Sequence, residues 1–156
     1  DLDEAIRLGD RIALMQDGQV LQCGTAQSLL RDPASEAVRH FFRDIDTAAV
    51  LDVAAIASPP SHCVVHSGGD LSALNPYVGD PLYVVDGRKQ LIGVRSGSDG
   101  WIGADQLVTL RSGMRVRDAI STVATLPYPP PVLDGEGCFL GVIDPRQLLQ
   151  SLEVSL

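Results

Sequence analysis

An internal repeat constrains this chain more than any other feature of its sequence. Residues 85–94 recur as residues 133–142, at an offset of 48 residues. In both stretches an apolar residue precedes Asp-Gly, two further apolar residues follow after three intervening residues, and the stretch ends on Gly-Val. Asp-Gly between two apolar runs favours a tight turn between paired strands. Each stretch is therefore predicted to fold as strand, turn, strand.

The segment upstream of each stretch repeats as well, at a shorter offset. Ser67-Gly68 recurs as Ser-Gly 45 residues later, and apolar residues at helical spacing follow both. The first copy is then three residues shorter, and because Asn75-Pro76 interrupts its helical pattern, that helix should lack about one turn. Each copy is predicted as strand, helix, strand, strand, helix. Neither has enough apolar residues for its own core, so the two should pack together.

The first 46 residues do not belong to the repeat. We expect a helix closed by Gly9, a hairpin with its turn at Asp17-Gly18, and two helices capped by Thr25 and Ser35. The apolar spacing of the last helix predicts one buried face, formed by Val38, Phe41 and Phe42.

An Ala-rich stretch, residues 47–57, is predicted to form a helix that ends before Ser58-Pro59-Pro60. We place the boundary between two units near Asp46. The fold class expected is α+β, with a first unit at 1–46 and a tandem pair at 47–156, whose copies occupy about 51–100 and 101–156.

Charge and composition exclude several classes of function. With 20 Asp and Glu against 12 Lys and Arg, a net charge of −8 opposes binding to long nucleic acids. No apolar run is long enough to span a bilayer, and the acidic first residues do not resemble an export signal. Three widely spaced cysteines favour a reducing compartment. The run His62-Cys63-x-x-His66 has metal-binding residue types, but strand alternation would place Cys63 opposite the histidines, so we expect no metal.

The repeat, with its apolar-Asp-Gly turn and Gly-Val strand end, resembles a tandem pair of cystathionine β-synthase-type (CBS) domains over about residues 51–152. The first 46 residues resemble the end of an ABC-transporter ATPase domain, in the runs Asp1-Leu-Asp-Glu-Ala, Gly9-Asp-Arg-Ile-Ala-Leu-Met and Gly18-Gln-Val-Leu-Gln-x-Gly-Thr. The combination looks like the ATP-binding subunit of glycine betaine/proline-type osmoprotectant importers. That resemblance implies a homodimer through the CBS pair, a membrane subunit as partner, and a place on the cytoplasmic face of the plasma membrane.

The sequence lacks the motif that ATP hydrolysis requires. A phosphate-binding P-loop contains Gly-Lys-[Ser/Thr], and the only lysine here, Lys89, follows Arg88. The run 67–70, Ser-Gly-Gly-Asp, is similar to an ABC signature loop but lies downstream of the place that the family gives it, so we interpret it as a turn. This chain is not expected to be an enzyme, whereas the larger protein it resembles would be a transport ATPase.

One segment, residues 93–99, has the chemistry of a nucleotide site. It is expected to run from a strand end into a helix start, where free amides and a hydroxyl suit phosphate and a carboxylate can accept from ribose hydroxyls. The resemblance to CBS domains implies an adenine nucleotide such as ATP, AMP or cyclic di-AMP. The candidate ligand-binding residues are Gly93, Arg95, Ser96, Ser98 and Asp99, with Val85 and Leu133 placed to sandwich the base. The alternative is a plain capped turn in which these side chains satisfy backbone amides.

The second copy departs from this pattern. Asp144 replaces the hydroxyl and Gln147 the ribose-binding carboxylate, so phosphate there would meet a like charge. We therefore expect one functional site in each pair. Trp101 directly follows the segment, and we favour a packing role for it over stacking on adenine.

Two functions stay open at this stage. The pair is either a regulatory sensor of adenine nucleotide or ionic strength, or a structural module that dimerises and binds nothing. Dimerisation is expected from the apolar helix faces around Leu71 and Ala119-Ile120. A basic cluster would either contact anionic lipid headgroups or be solvated, which we favour; its members are Arg111, Arg115 and Arg117.

Overall fold

The computed structural model describes residues 2–66, 68, 71, 81–97 and 100–153. The first part of the chain forms α1 (Leu2–Leu8), β1 (Ile12–Gln16), β2 (Gln19–Gly24), α2 (Ala26–Arg31), α3 (Glu36–Phe41), α4 (Thr47–Val50) and α5 (Val53–Ile56). The first copy contains β3 (His62–Val65), β4 (Leu82–Val85), β5 (Leu91–Ser96) and β6 (Gly100–Gly103). The second contains β7 (Leu110–Arg111), α6 (Val116–Thr125), β8 (Pro131–Leu133), β9 (Phe139–Val142) and α7 (Pro145–Glu153). Within these ranges, no helix is long and apolar enough to cross a bilayer.

The opening helix and hairpin form as predicted. The N–H of Gly9 donates to the carbonyl of Ala5 at 2.9 Å and closes α1. Strands β1 and β2 pair antiparallel, and the turn residues Asp17 and Gly18 both have positive φ, 51° and 78°. A type I′ turn requires this conformation, which explains why Asp-Gly stands there.

The two predicted caps are confirmed, but the buried face of α3 is smaller than predicted. Thr25 Oγ1 accepts from the N–H of Ser28, and Ser35 Oγ accepts from the N–H of Val38. Phe42 is buried with Val38, whereas Phe41 is 40% exposed. The prediction was wrong for Phe41 because α3 ends there, and the chain turns so that only the next side chain enters the core.

The single helix predicted over residues 47–57 is wrong. It is interrupted at Leu51, whose backbone is extended (φ −72°, ψ 138°), between α4 and α5. Asp52 explains the break, since its Oδ1 accepts from the N–H of Ala54 and its Oδ2 from the N–H of Gly113 at 2.6 Å. The carbonyl of Leu51 also accepts from the N–H of Val116. Contacts with the second copy thus override the helical propensity of the alanines.

The repeat is confirmed at the level of single hydrogen bonds. Asp86 Oδ1 accepts from the N–H groups two and four residues further on, both at 2.8 Å. Asp134 Oδ1 makes the same two bonds, at 2.9 and 2.8 Å. The third residue after each aspartate, Lys89 and Gly137, has a left-handed backbone with φ of 62° and 84°. The two turns are therefore copies of one structure.

The sheets follow the same order in both copies. In the first sheet β3 pairs parallel with β4, and β4, β5 and β6 continue antiparallel. In the second, β7 pairs parallel with β8, which pairs antiparallel with β9. Val65 lies opposite Val85 as Arg111 lies opposite Leu133, so the first strands are offset by 46 residues and the first copy is two residues shorter than the second, not three. The interrupted helix at Asn75-Pro76 lies outside the described residues.

The two copies meet at equivalent residues. Gln90 and Cys138 form an isolated antiparallel bridge and are separated by 48 residues, the offset of the repeat. Beside them, the N–H of Phe139 donates to the carbonyl of Lys89 at 2.8 Å. This contact places an approximate two-fold axis between the copies.

The helix start expected after residues 93–96 is wrong. Strand β5 continues to Ser96, and the chain returns as β6, which pairs with it from Gly93 opposite Gly103 to Ser96 opposite Gly100. The reason lies in the connection: β6 leads into the second copy and completes the sheet of the first. Similarly, Ser58, which leads into the first copy, exchanges two backbone hydrogen bonds with Val142 of the second.

Two equivalent glycines allow these segments to approach. A Cβ on Gly93 would lie 2.5 Å from the carbonyl oxygen of Ile102, and a Cβ on Gly141 would lie 2.5 Å from that of Ser58. Contacts that short are sterically forbidden, so a larger residue at either position would push the covering segment away.

Two apolar cores organise the chain. The first, which we call the junction core, contains buried residues of the first 45 residues, of the segment 46–58 between α3 and β3, which we call the linker, and of the second copy; they include Leu29, Leu30, Val38, Leu51, Val53, Val116, Ala119, Ile143 and Leu148. The second, the inter-copy core, joins the copies through Tyr83, Val85, Leu91, Val94, Leu107, Tyr128, Leu133 and Val142. Among the described residues, the junction core contains none from 61–100 and the inter-copy core none from 1–58. The boundary near Asp46 stays a prediction.

Candidate functional site

Three of the predicted nucleotide ligands, Gly93, Arg95 and Ser96, lie on β5. This strand is flanked by β4 and β6, so its backbone groups are directed at neighbouring strands and not at a ligand. Ser98 and Asp99 lie outside the described residues. At residues 93–96 a phosphate would therefore depend on side chains, because the helix start expected within 93–99 does not form there.

Val85 and Leu133, predicted to sandwich a base, are equivalent residues of the two copies. The structure brings both into the inter-copy core, with exposed fractions of 5% and 9%. A base can stand between them only if that core opens.

Arg95 is the most unusual side chain of the segment. Its Nε atom is buried and has no hydrogen-bond partner among the described residues. Arg95 lies directly opposite Leu82 on one side and Trp101 on the other, so the three share the face of the sheet that points away from the inter-copy core. A buried cationic donor without an acceptor is costly, and an anion bound there would remove that cost.

The indole of Trp101 lies against Gly93. A Cβ on that glycine would approach the ring within 2.5 Å, and the side chain is half-buried. This contact is the packing role that we favoured for the tryptophan.

The strand-to-helix turn appears in the second copy. Asp144 Oδ1 accepts from the N–H of Gln147 at 2.8 Å, and Gln147 Oε1 accepts from the N–H of Asp144 at 3.2 Å. Gln147 Nε2 donates to Ser58 Oγ. The side chain of Gln147 therefore caps α7 and holds the segment that leads into the first copy, so both of its polar atoms already have a partner within the chain.

Tyr83 is a contact between the copies that the sequence analysis missed. It is 1% exposed, its hydroxyl donates to the carbonyl of Pro129 at 2.5 Å, and its ring stacks on Phe139 with centroids 5.8 Å apart. Burial, and then the neighbouring Tyr128, raise the pKa of the Tyr83 phenol above its ordinary value. The signal was present in residues 82–85, which are apolar without alternation and are buried on both faces.

All three arginines of the basic cluster are exposed, as expected for a solvated cluster, and two of them also have partners within the chain. Arg117 forms an ion pair with Asp46, and Arg115 Nη1 donates to the carbonyl of Val50 at 2.7 Å. The hydrogen bond from Arg117, with its charge, holds the pKa of Asp46 below its usual value. Of the three arginines, only Arg111 is exposed without a partner among the described residues. Two members of the cluster thus attach the linker to the second copy.

The residues predicted to form a dimer interface differ in their exposure. Ala119 is buried in the junction core and cannot contribute to a dimer interface, whereas Ile120 is 36% exposed. Leu71 is half-buried.

Cys63 is exposed at the residue level, but partial burial of its thiol raises the pKa, which disfavours the thiolate that a metal would need. Across the part of the chain that the structure describes, no group of three or more His, Cys, Asp or Glu converges.

Comparison with known proteins identifies the relatives of this chain. No protein-family model matches it. The glycine betaine/proline betaine transport system ATP-binding protein ProV of Salmonella typhimurium is 35% identical over 98% of this chain and 42% of its own length. The chain is homologous to the ATP-binding subunits of glycine betaine-type ABC transporters. A second such subunit, the glycine betaine transport ATP-binding protein OpuAA of Bacillus subtilis, is 31% identical over 99% of this chain. The chain spans about two fifths of the length of these subunits.

A solved structure supports the fold that we assign to this chain. The cystathionine β-synthase pair domain of a protein assigned as a Mg²⁺ transporter in Shewanella oneidensis MR-1 matches 81% of this chain and 83% of its own, with a TM-score of 0.51 at 14% identity. At that identity the likeness concerns the fold alone. The tandem CBS pair predicted from the repeat is confirmed.

Proposed function

We propose that this chain is the regulatory region of an osmoprotectant transporter's ATP-binding subunit, and that its CBS pair biases the ATPase. The observation that carries the proposal is the junction core. Leu29, Leu30 and Val38, in the segment that resembles the end of an ATPase domain, are buried together with Val116 and Ile143 of the second copy. Because the interior of a protein is close-packed, a rearrangement of the second copy is felt in that segment.

The polar contacts reinforce this connection. Asp52 in the linker accepts from the N–H of Gly113, Arg115 donates to Val50, and Asp46 pairs with Arg117. All three join the linker to the second copy. The first copy therefore influences the ATPase segment through the second one.

The regulatory ligand is proposed to be an adenine nucleotide, ATP, AMP or cyclic di-AMP, at the first copy. Arg95 supports this, because its buried Nε has no acceptor among the described residues and a phosphate would supply one. In the proposal Ser98 and Asp99 complete the site. Ionic strength is the other proposed signal, and it would act on exposed pairs such as Asp46 with Arg117, which salt screens.

The structural module remains the second candidate, and one observation favours it. Val85 and Leu133 are buried in the inter-copy core, as in a contact that holds two units together without a ligand. In this function the pair joins ATPase subunits as a homodimer and binds nothing.

Calorimetric titration of the chain with ATP, AMP and cyclic di-AMP, at low and at high salt, separates the two candidates. The sensor predicts saturable binding of at least one nucleotide, and Arg95→Gln should weaken it at least tenfold. Arg111→Gln carries the same loss of charge at an exposed position and should leave the affinity unchanged. Absence of binding heat from all three nucleotides, with a dimer in light scattering, would support the structural module.

The proposal also covers the longer protein of which this chain would be a part. By analogy with the relatives of this chain, that protein would bind ATP, contact a membrane subunit and work at the cytoplasmic face of the membrane. The 156 residues themselves are proposed not to hydrolyse ATP, since they contain no Gly-Lys-[Ser/Thr]. Steady phosphate release by the purified chain, above a contaminant control, would contradict this.

A further inference from the structure

A pocket of about 210 Å³ opens where three parts of the chain meet. Its walls come from the end of α2, from the linker with α5, and from α7; they are lined by Leu30, Arg31, Leu51, Ala55, Ile56 and Ser151. Leu30 and Leu51 belong to the junction core, so the floor of the pocket is the core that connects the ATPase-like segment to the second copy.

The lining is apolar with one cation at its edge. Leucine, isoleucine and alanine side chains form most of the wall, while Arg31 is exposed and has no hydrogen bond or ion pair among the described residues. The hydroxyl of Ser151 already donates to the carbonyl of Leu148 at 2.7 Å. Arg31 is therefore the one lining side chain with free donors, and a guanidinium prefers a carboxylate that it can bind through two parallel bonds.

The same lining disfavours quaternary ammonium cations. It contains no aromatic ring and no carboxylate, which are the groups that recognise quaternary ammonium cations. At about 30 Å³ for each water-sized group, the volume accommodates about seven non-hydrogen atoms. A five-carbon carboxylate has that size.

We infer that this pocket binds a short-chain aliphatic monocarboxylate, with its carboxylate on Arg31 and its alkyl chain against Leu30, Leu51 and Ile56. Because Ser151 of α7 lines the same pocket, the ligand would contact α2, the linker and α7 at once. It therefore stabilises the arrangement that links the second copy to the ATPase-like segment. The inference is independent of the nucleotide proposal, because it uses none of the same residues.

Titration of the methyl-labelled chain with pentanoate, followed by ¹H-¹³C NMR, tests the inference. We expect saturable shifts of the Leu30, Leu51 and Ile56 methyl signals with a Kd in the millimolar range. Arg31→Gln should raise that Kd at least fivefold, and Ala55→Leu, which fills the pocket, should abolish the shifts. Arg111→Gln is the charge control and should change nothing.

Two further ligands sharpen the test. Pentanol should bind at least fivefold more weakly than pentanoate, because it lacks the charge, and butyltrimethylammonium should not produce the shifts. The inference is overturned if no saturable shift appears in the wild-type chain, if Arg31→Gln binds pentanoate as the wild type does, or if butyltrimethylammonium binds equally well. Because Arg31 is exposed, its substitution keeps the test valid even if Ala55→Leu fails to fold.

Discussion

The two copies of the repeat share their strands and turns but differ after the third strand. In the second copy β9 leads directly into α7, and Ile143 at the junction is fully buried. In the first copy the equivalent residue is Arg95, and the chain returns as β6 instead of forming a helix. The repeat therefore dictates the paired strands, while the connecting segments decide how each sheet is covered. The second copy has a fully buried isoleucine at this position, and the first has a half-buried arginine.

The largest loss of stability is expected at the two glycines that allow the connecting segments to approach the sheets. Gly141→Ala should lower the free energy of unfolding by about 3 kcal/mol, because a Cβ would strike the Ser58 carbonyl and φ is 149°. Gly93→Ala meets the Ile102 carbonyl without a left-handed backbone, so we expect a cost of about 2 kcal/mol. Urea denaturation measures both. Gly135→Ala, whose Cβ would meet nothing within 4 Å, is the control, and an equal loss there would refute the steric argument.

The equivalent pair Ile143 and Arg95 tests the contrast between packing and function. Ile143→Ala should cost about 3 kcal/mol, since it leaves a cavity in the junction core. Arg95→Leu, which gives the first copy an apolar residue, should keep or raise stability because it removes a buried donor that has no partner in the described part of the chain. Thermal unfolding with and without nucleotide measures stability and binding together. A large loss of stability in Arg95→Leu would show that the arginine is structural.

The contact between the copies through Tyr83 should have a moderate effect. Tyr83→Phe keeps the ring stacked on Phe139 and removes only the hydrogen bond to Pro129, so we expect a loss of about 1 kcal/mol. Tyr83→Ala should cost about 3 kcal/mol, no more than Gly141→Ala, because the ring is also lost. Chemical denaturation of the two variants separates the hydroxyl from the ring, and a neutral Tyr83→Ala would mean that the inter-copy core contributes little.

The smallest effect concerns the linker. The pKa of Asp46 lies below its usual 3.8 in the folded chain, so the ionised carboxylate stabilises the fold above that pH. This contribution is lost as the pH falls through the lowered pKa. Asp46→Asn should therefore be less stable than the wild type near neutral pH, and the difference should disappear once the pH is well below the lowered pKa of Asp46. The difference should also shrink in high salt, and a difference independent of pH and salt would exclude the ion pair with Arg117 as its cause.

Sequence patterns predicted the parts of the fold that local chemistry determines. Asp17-Gly18, Thr25, Ser35 and the repeated Asp-Gly turns all have the predicted structure, because each residue bonds to backbone within a few positions. The helix break at Leu51 and strand β6 were not predictable in this way. The break at Leu51 arises from hydrogen bonds to residues more than sixty positions away. Strand β6 pairs locally with β5, but it follows β5 where the second copy has a helix.

The candidate site was predicted only in part, for the same reason. Arg95 was identified from its motif, and its unpartnered Nε gives it a physical basis. The helix amides were not found, because the helix start was inferred from a pattern that describes the second copy better. The junction pocket could not be read from the sequence, since Leu30, Ala55 and Ser151 come together only in the folded chain.

Hydrogen exchange measured by mass spectrometry tests most directly the claim that the two cores are separate, so that the described part of the first copy contacts the second copy but not the ATPase-like segment. Val38 of the junction core and Val94 of the inter-copy core are both fully buried, so Val38→Ala and Val94→Ala make matched cavities. Val38→Ala should accelerate exchange in the helices α2 to α7 and leave the strands β4 and β5 nearly unchanged. Val94→Ala should accelerate exchange in β4, β5, β8 and β9 and leave α2 and α3 nearly unchanged. Faster exchange in β4 and β5 of Val38→Ala, equal to that in α6, would contradict the account.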